Sequence, residues 1–486
     1  MQGYGRPGVN FGNLQFGAPL DFSFYFPGYA EGGMSGELTQ SANAANNYQR
    51  MPHVVTMSTV RQAIPRKFIP EAILEGRAFG HLTDVSTVQG QFMKVGYPAP
   101  GHAKIEMMYK YGSSSMGTQM DSNRYVEMYQ SEKLPFVVNQ SIWWEGETKF
   151  ADIVLPACTV FEHDDIGEWY NVGAGYVHHM YSMNNHRVIS MQHKCIDPVG
   201  ESKSDHDILL EIMKRLDMGA MYSEGGNTEI DWCKRAFDSS DMSKHTTWKK
   251  FLKKGYYVVP PVSEGTRAPT GNRWFYEGRK KDTPEPYPLP ADYTGNFGEG
   301  LQTPSGKFEF IATTLNNIDD SGRPPLNKYM PTYEDPERDP HLADFTLQLL
   351  TPHTRYPFHI MGDEKGCTIR DIKDHRVRVD GHEYLVATIS GQDARDRGIK
   401  SDDLIRLWNH RGSVVCAAYV TDRVQPGVVS APTASAEYRP AGEPGNSTDL
   451  GGCVNMLNSS ENMTEHTHSI KPNTTLIQME IWTGVD

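Results

Sequence analysis

Residues 134–165, LPFVVNQSIWWEGETKFADIVLPACTVFEHDD, decide how the rest of the chain is read. An apolar run at 136–138 passes into Asn139, Gln140, Ser141, Trp143 and Trp144, and a second run at 153–155 stops at Pro156. Two short buried-strand signatures around a polar, aromatic loop suggest a strand end feeding a ligand crevice, because open α/β sheets bind ligands beyond the carboxyl ends of their strands. The same pattern fits a buried strand with an ordinary surface loop, and the local residues do not choose between the two.

Working backwards, 105–109 reads as a strand, 112–115 as a turn and 124–129 as a short helix before the strand at 136–138. That is a βαβ unit, which implies a parallel sheet and a right-handed crossover. Gly112, Ser113 and Ser114 would let a ligand approach the backbone and offer it hydroxyls, although a plain βα turn uses the same residues. Working forwards, Ser204 with Asp207 starts a helix whose Ile208, Leu209, Ile212, Met213 and Leu216 predict a core-facing stripe. Residues 221–300 alternate charged, aromatic and Pro-rich stretches and read as an insertion, while the polar segment 313–340 with its five prolines reads as a linker. Beyond it, alternation at 345–349, paired runs at 403–408 and 413–420 around a turn, and a run at 428–429 predict a C-terminal β-barrel. The expected fold class is therefore α/β, a parallel-sheet domain over 1–335 followed by a barrel over 341–486.

Composition narrows the partners. With 38% hydrophobic and 22% charged residues, the 486-residue chain suits a soluble globular protein, and a net charge of −13 argues against nucleic acid or an anionic membrane as partner. An anionic cofactor would then need local donors. The start lacks the features of a signal peptide, and no run of about 18 apolar residues predicts a membrane span. The six cysteines (Cys158, Cys195, Cys233, Cys367, Cys416 and Cys453) are scattered singly without a C-x-x-C pair. Reduced thiols in a cytoplasm are the expectation, and export with a partner chain stays open.

Few stretches carry chemistry. The G-x-G-x-x-G at residues 3–8 has no strand before it and reads as loop. The histidines form no H-E-x-x-H, so no metal site is expected from this chain's side chains. Glu162, Asp164 and Asp165 beside Cys158 read first as acidic residues at a helix N-terminus. His353, Arg355 and His359 in TPHTRYPFH (351–359) can hold phosphate or ring oxygens, and GGCVNMLN (451–458) with Asn455 has a similar polar, small-residue character. Together they suggest one extended polar ligand shared by the barrel and the α/β domain.

Several motifs carry a resemblance. ETKFADIVLP (147–156), NHRVISMQ (185–192), TPSGKFEF (303–310) and the stretch 392–457 occur in the order found in the molybdopterin-guanine-dinucleotide oxidoreductases, the dimethyl sulfoxide reductase family, which this chain resembles. The details of LPACTVFEHDD, WFYEGRKKD and TPHTRYPFH look closest to the branch that transfers or removes hydroxyl groups on phenols. The resemblance implies a double-psi-type barrel and two pterin guanine dinucleotides clasping molybdenum or tungsten (bis-MGD). Carried over by position, Gly112, Ser113, Ser114, Asn139, Gln140, Thr148 and Asp152 would face a dinucleotide, and His353, Arg355, His359 and Asn455 pterin or phosphate. Family members often have Asp where Asn139 stands. Tyr4, Cys158 and Phe161 match the substrate pocket, so 139–148 would be the dinucleotide side and 158–165 the pocket side of one cleft.

The family's metal ligand lies in an N-terminal half that nothing here matches. The resemblance therefore implies a C-terminal part that works with that half or a complementing chain, a small iron–sulfur subunit and an aromatic small-molecule substrate. A non-catalytic pterin-dinucleotide-binding module and a non-redox, hydratase-like relative are the alternatives.

Overall fold

Strand β1 (Ala78–Leu82) pairs antiparallel with β2 (Met93–Tyr97), and helix α1 (Ile69–Leu74) precedes them. This is the first described part of the computed structural model. It describes residues 66–82, 93–112, 114–168, 188–258, 332–353, 375–433, 437–462 and 473–484, with short stretches and single positions between 62 and 471.

The expected parallel sheet follows. Strands β3 (Met107–Tyr111), β4 (Phe136–Ser141) and β5 (Ile153–Pro156) pair in parallel in that order, with Met107 opposite Phe136 and Val138 opposite Ile153. β3 begins two residues later than the apolar run at 105–109 suggests. A four-residue helix, α2 (Ser115–Thr118), and α3 (Asn123–Gln130) make the first crossover, and a 3-10 turn (Gly146–Phe150) makes the second. Tyr125, Val126, Met128 and Tyr129 of α3 are buried, as spacing of three and four residues along a helix requires.

Residues 157–258 build a different arrangement. Strands β6 (Asp165–Glu168), β7 (Val188–Gln192) and β8 (Tyr256–Val258) form an antiparallel sheet. Near it lie α4 (Asp205–Arg215), α5 (Glu229–Ser239) and α6 (Trp248–Lys254). Ile189 and Met191 of β7 share a core with Cys233, Phe237, Met242 and Phe251, so the described residues after 221 pack onto β7. In α4 the Ser204 cap is present, but only Ile208 is buried and Leu216 is exposed. The stripe read from the sequence is therefore only half covered.

The C-terminal region is a closed barrel. Its strands are β9 (Leu347–Leu350), β11 (His382–Ile389), β12 (Leu404–Asn409), β13 (Gly412–Val420), β14 (Val428–Ser430) and β15 (Thr475–Ile481). They run round in the order β11-β13-β12-β15-β9-β14, β14 closes back onto β11, and β10 (Arg376–Val379) adds to β11 outside the ring. Closure removes the free strand edges that an open sheet would expose. Alternation gives the inward residues Leu347, Leu349, Ile405, Leu407, Ile477 and Met479. β11 and β13 are buried on both faces because Tyr384, Val415 and Ala417 form a second small cluster outside the ring. A short helix, α7 (Gly391–Arg397), is capped by Ser390 and ended by Gly398, whose φ of +67° suits a residue without Cβ.

The described parts of 59–83, 89–156 and 318–486 form one compact unit, and those of 157–317 another. Within the first unit, Val137 of β4 and the apolar face of α3 enter the same core as Ile405, Leu407, Val414, Cys416 and Met456. Parallel sheet and barrel are thus held by one apolar core. No described helix is long and apolar enough to cross a membrane.

Candidate functional site

The chain leaves β3 through Gly112, at φ +57°, where its amide donates to the Gln140 carbonyl at 2.8 Å. The left-handed conformation favours glycine, and a Cβ there would meet nothing within 4 Å, so the backbone lies open on that side. Ser114 caps α2: its Oγ accepts from the Gly117 amide at 3.0 Å and donates to Glu147 Oε2 at 2.6 Å. Glu147 also accepts from the Ser115 amide. Lys110 of β3 pairs with Glu145 and lies 3.5 Å from Glu147. All three charged side chains are buried, and burial pushes the Glu145 carboxyl up despite the Lys110 ammonium beside it. A buried ion triad thus holds the turn that follows β3.

Consecutive strand residues point to opposite faces, so Asn139 and Gln140 part company. Gln140 accepts from the Tyr109 hydroxyl on one face. Asn139 turns the other way, and its Nδ2 donates to Thr148 Oγ1 at 3.1 Å. Thr148 Oγ1 also accepts from the Glu145 amide at 3.1 Å as part of a reciprocal cap. Asn139 Oδ1 is buried and has no hydrogen-bond partner. Asp152 Oδ2 accepts from the Val137 amide at 2.7 Å and so ties the start of β5 to β4.

The barrel reaches the same turn through residues 449–458. Asn455 Nδ2 donates to the Gly117 carbonyl at 2.7 Å, and the Asn455 carbonyl accepts from the Asp121 amide at 2.9 Å. Asn458 Nδ2 donates to Asn455 Oδ1 at 3.3 Å and to Thr351 Oγ1 at 3.4 Å, which links this loop to the end of β9. His353, two residues on, bridges to Thr433. Fully buried Asp449 organises the loop: Oδ1 accepts from the Arg439 and Gly451 amides at 2.7 and 2.9 Å, Oδ2 from the Cys453 amide at 2.9 Å. Burial raises the Asp449 carboxyl against the effect of those three donors and pushes the Cys453 thiol up to about 12. Gly112, Ser114, Asn139, Thr148 and Asn455 are therefore stitched around α2, while His353 pairs with Thr433.

Cys158 and Phe161 belong to the other unit. Cys158 is buried, its thiol raised by desolvation and donating to Ser202 Oγ at 3.7 Å, while Phe161 is exposed. The acidic cluster beside them does not start a helix; a turn leads into β6 instead. Glu162 accepts from the Thr159 amide and hydroxyl, each at 2.7 Å, from the Val199 amide at 2.7 Å and from Ser202 Oγ at 3.2 Å. The Thr159 donors, with Val199, hold its carboxyl down to about 2. Its work is to shape the loop. Tyr4, Ser113, Arg355 and His359 lie outside the described residues.

Sequence reading passed over Lys110, Glu145, Glu147 and Asp449. The spacing of Glu145 and Thr148 carries the mark of a reciprocal cap, and Asp449 before Gly451-Gly452 that of an Asp accepting from backbone amides in a turn.

Residues 1–215 match the family described as Molybdopterin oxidoreductase, and residues 347–476 match the Molydopterin dinucleotide binding domain. The chain belongs to the molybdopterin oxidoreductases. It is 44% identical to the pyrogallol hydroxytransferase large subunit of Pelobacter acidigallici, over 100% of this chain and 56% of that protein. It is 26% identical to a trimethylamine-N-oxide reductase of Haemophilus influenzae, over 89% of this chain and 48% of the other. The fold resembles that of the acetylene hydratase of Pelobacter acetylenicus, at a TM-score of 0.52 and 14% identity, covering 79% of this chain and 45% of that one. The chain spans about half the length of the curated relatives it matches. A molybdopterin-type cofactor follows from the family. The described residues fit it: the unpartnered Asn139 Oδ1 at the carboxyl end of β4 is an acceptor for the N–H groups of a purine such as guanine.

Proposed function

We propose that this chain holds a pterin guanine dinucleotide for a molybdenum or tungsten enzyme that transfers or removes hydroxyl groups on phenols. The observation that carries the cofactor part is the convergence of Gly112, Ser114, Asn139, Thr148 and Asn455 on one short helix, with an acceptor left free at Asn139. When bound, the metal–pterin group supplies redox and oxo chemistry. The protein's part is orientation. Asn139 accepts from the guanine, and the open backbone at Gly112 admits the dinucleotide closely. Asn455, His353, Arg355 and His359 serve phosphate or pterin, with Gln140, Ser113 and Asp152 as further contacts or supports.

The phenol is supported by the 44% identity to the pyrogallol enzyme's large subunit. That relative's name also supports a smaller partner subunit, for which we propose an iron–sulfur protein; a complementing polypeptide that brings the metal's protein ligand rests on the family resemblance alone. Tyr4, Cys158 and Phe161 would line the phenol side. The raised Cys158 thiol stays protonated at neutral pH, which makes it a packing group and weak donor rather than a nucleophile.

Guanosine diphosphate titrated into the full chain tests the cofactor role: binding is expected, and Asn139→Leu should weaken it about tenfold, the loss of a hydrogen bond of roughly 1.4 kcal/mol. Equal binding by wild type and variant would refute it. For the substrate, the assembled enzyme should turn over pyrogallol; reduction of trimethylamine N-oxide without phenol turnover would overturn the phenol reading.

A further inference from the structure

We infer that the lysine face of α6 is a docking surface for an acidic polypeptide segment carried by a partner protein. The helix reads WKKFLKK; Phe251 is buried, and Trp248 and Leu252 pack against the same core as Phe237. Spacing of three and four residues gathers Lys249, Lys250, Lys253 and Lys254 on the opposite face, where all four are exposed. No Asp or Glu occurs anywhere in 242–258, within a chain whose net charge is −13.

Neighbouring lysines show how an ordinary surface charge is handled in this unit. Lys194, Lys214, Lys234 and Lys244 each pair with a carboxylate three or four residues away. Among the described residues no lysine of α6 pairs with a carboxylate, and Lys254 lies over the Tyr256 ring at 4.5 Å. The arrangement works against the helix. Lys249 and Lys250 occupy the first turn, at the positive end of the helix dipole, where α4 and α5 carry Asp205, Asp207, Glu229 and Asp231. Lys249 with Lys253, and Lys250 with Lys254, are like charges four residues apart, which destabilise a helix. Only the position of Lys253 and Lys254 in the last turn suits the dipole. Local rules broken without a return in the fold mark a surface kept for binding.

Charge and size set the occupant. The helix is seven residues long, about 10 Å, so its face is a strip that the carboxylates of one extended segment can cover. Tyr256 and Val258, 45% and 43% exposed, follow it directly in the chain and offer apolar contact. An anionic bilayer fits less well, because its plane would reach past the strip to a chain that is acidic elsewhere. A peptide on the strip is screened by salt from charges more than about 8–10 Å away. The inference is independent of the cofactor and of the phenol.

The probe is a fluorescein-labelled oligoglutamate peptide, titrated into the full 486-residue chain and read by fluorescence anisotropy. It should bind, more weakly as salt rises, and an oligoglutamine peptide of the same length should not. The double variant Lys249→Gln with Lys253→Gln should weaken binding about tenfold, the combined effect of two exposed ion pairs. Lys400→Gln, exposed in the other unit, should bind as wild type does. Lys249→Glu separates binding from folding: it should bind more weakly still, yet melt no lower than wild type, because an acid in the first turn suits the helix. A lower melting temperature for Lys249→Glu would make the lysine a structural residue and overturn the inference. Absence of peptide binding, or equal binding by all variants, would do the same. So would binding to phosphatidylserine vesicles in place of the peptide, which assigns the face to a membrane, or self-association that Lys249→Glu disperses, which assigns it to a second copy.

Discussion

Replacing Lys110 with Met tests whether the turn after β3 is held electrostatically. Lys110, Glu145 and Glu147 are buried together, so the substitution leaves two carboxylates without their cation while keeping most of the side-chain volume. Removing one partner of a buried pair costs about 3–5 kcal/mol, and the lower end is expected because Ser141 and Ser114 still donate to the carboxylates at 2.8 and 2.6 Å. Burial already raises the Glu145 carboxyl above the usual 4.5, and without Lys110 it rises further. A carboxyl whose folded pKa lies above its unfolded value takes up protons on folding, so the variant should recover stability as pH falls toward that pKa. Each unit of raised pKa corresponds to about 1.4 kcal/mol. Urea unfolding followed by tryptophan fluorescence suits the question, since Trp143 and Trp144 sit in the loop beside the triad. At about pH 7.5 the deficit should be roughly 3 kcal/mol, and at about pH 5.5 it should shrink measurably. A deficit below about 1 kcal/mol, or one that does not change with pH, would refute the electrostatic account.

Asp449→Ala orphans two buried amides, at about 1–3 kcal/mol each, and the part-buried Arg439 amide, so a loss of roughly 3–5 kcal/mol is expected, with faster hydrogen exchange at Gly451 and Cys453; unchanged exchange would contradict its organising role. Lys67, buried with its ammonium lowered from 10.5 to about 8, is held charged at a cost below pH 8. The unfolded chain keeps that proton up to about 10.5, so wild type should gain on Lys67→Met by up to about 3 kcal/mol as pH rises through this window, read from urea midpoints. Glu162, lowered to about 2, contributes stability that is fully present above 4.5 and lost as pH falls through 2. Glu162→Gln should flatten the acid side of the unfolding curve followed by circular dichroism, and an unaltered acid limb would exclude the assigned hydrogen bonds.

Much of the fold was legible because its local patterns are strong. The apolar run at 136–138, the α3 stripe and the runs at 403–408 and 413–420 carry the period of their element, and each forms it within about two residues. β10 and β11 were legible too, since Asp380-Gly381 between their runs is a hairpin signal, and LIQMEI in β15 alternates, yet none of the three was among the expected strands. Of the site, Asn139 and Asn455 could be named from motif order. That 316 positions apart in sequence they flank one short helix could not, since hydrogen bonds to Thr148 and Gly117 depend on how the chain returns.

Sequence alone determined the parallel βαβ unit, the barrel, the family's motif order and the lack of any long apolar span, because periodicity, turn chemistry and motif spacing are properties of neighbouring residues. Tertiary structure decided the rest. Alternation along β4 turns Gln140 to one face and Asn139 to the other, where its Oδ1 finds no donor, and LPFVVNQS looks the same whichever residue is left unpaired. The same holds for β4 as a whole: Phe136 is exposed at its start while Val137, Val138, Asn139 and Gln140 are buried on both faces, which a run of apolar and amide residues does not specify.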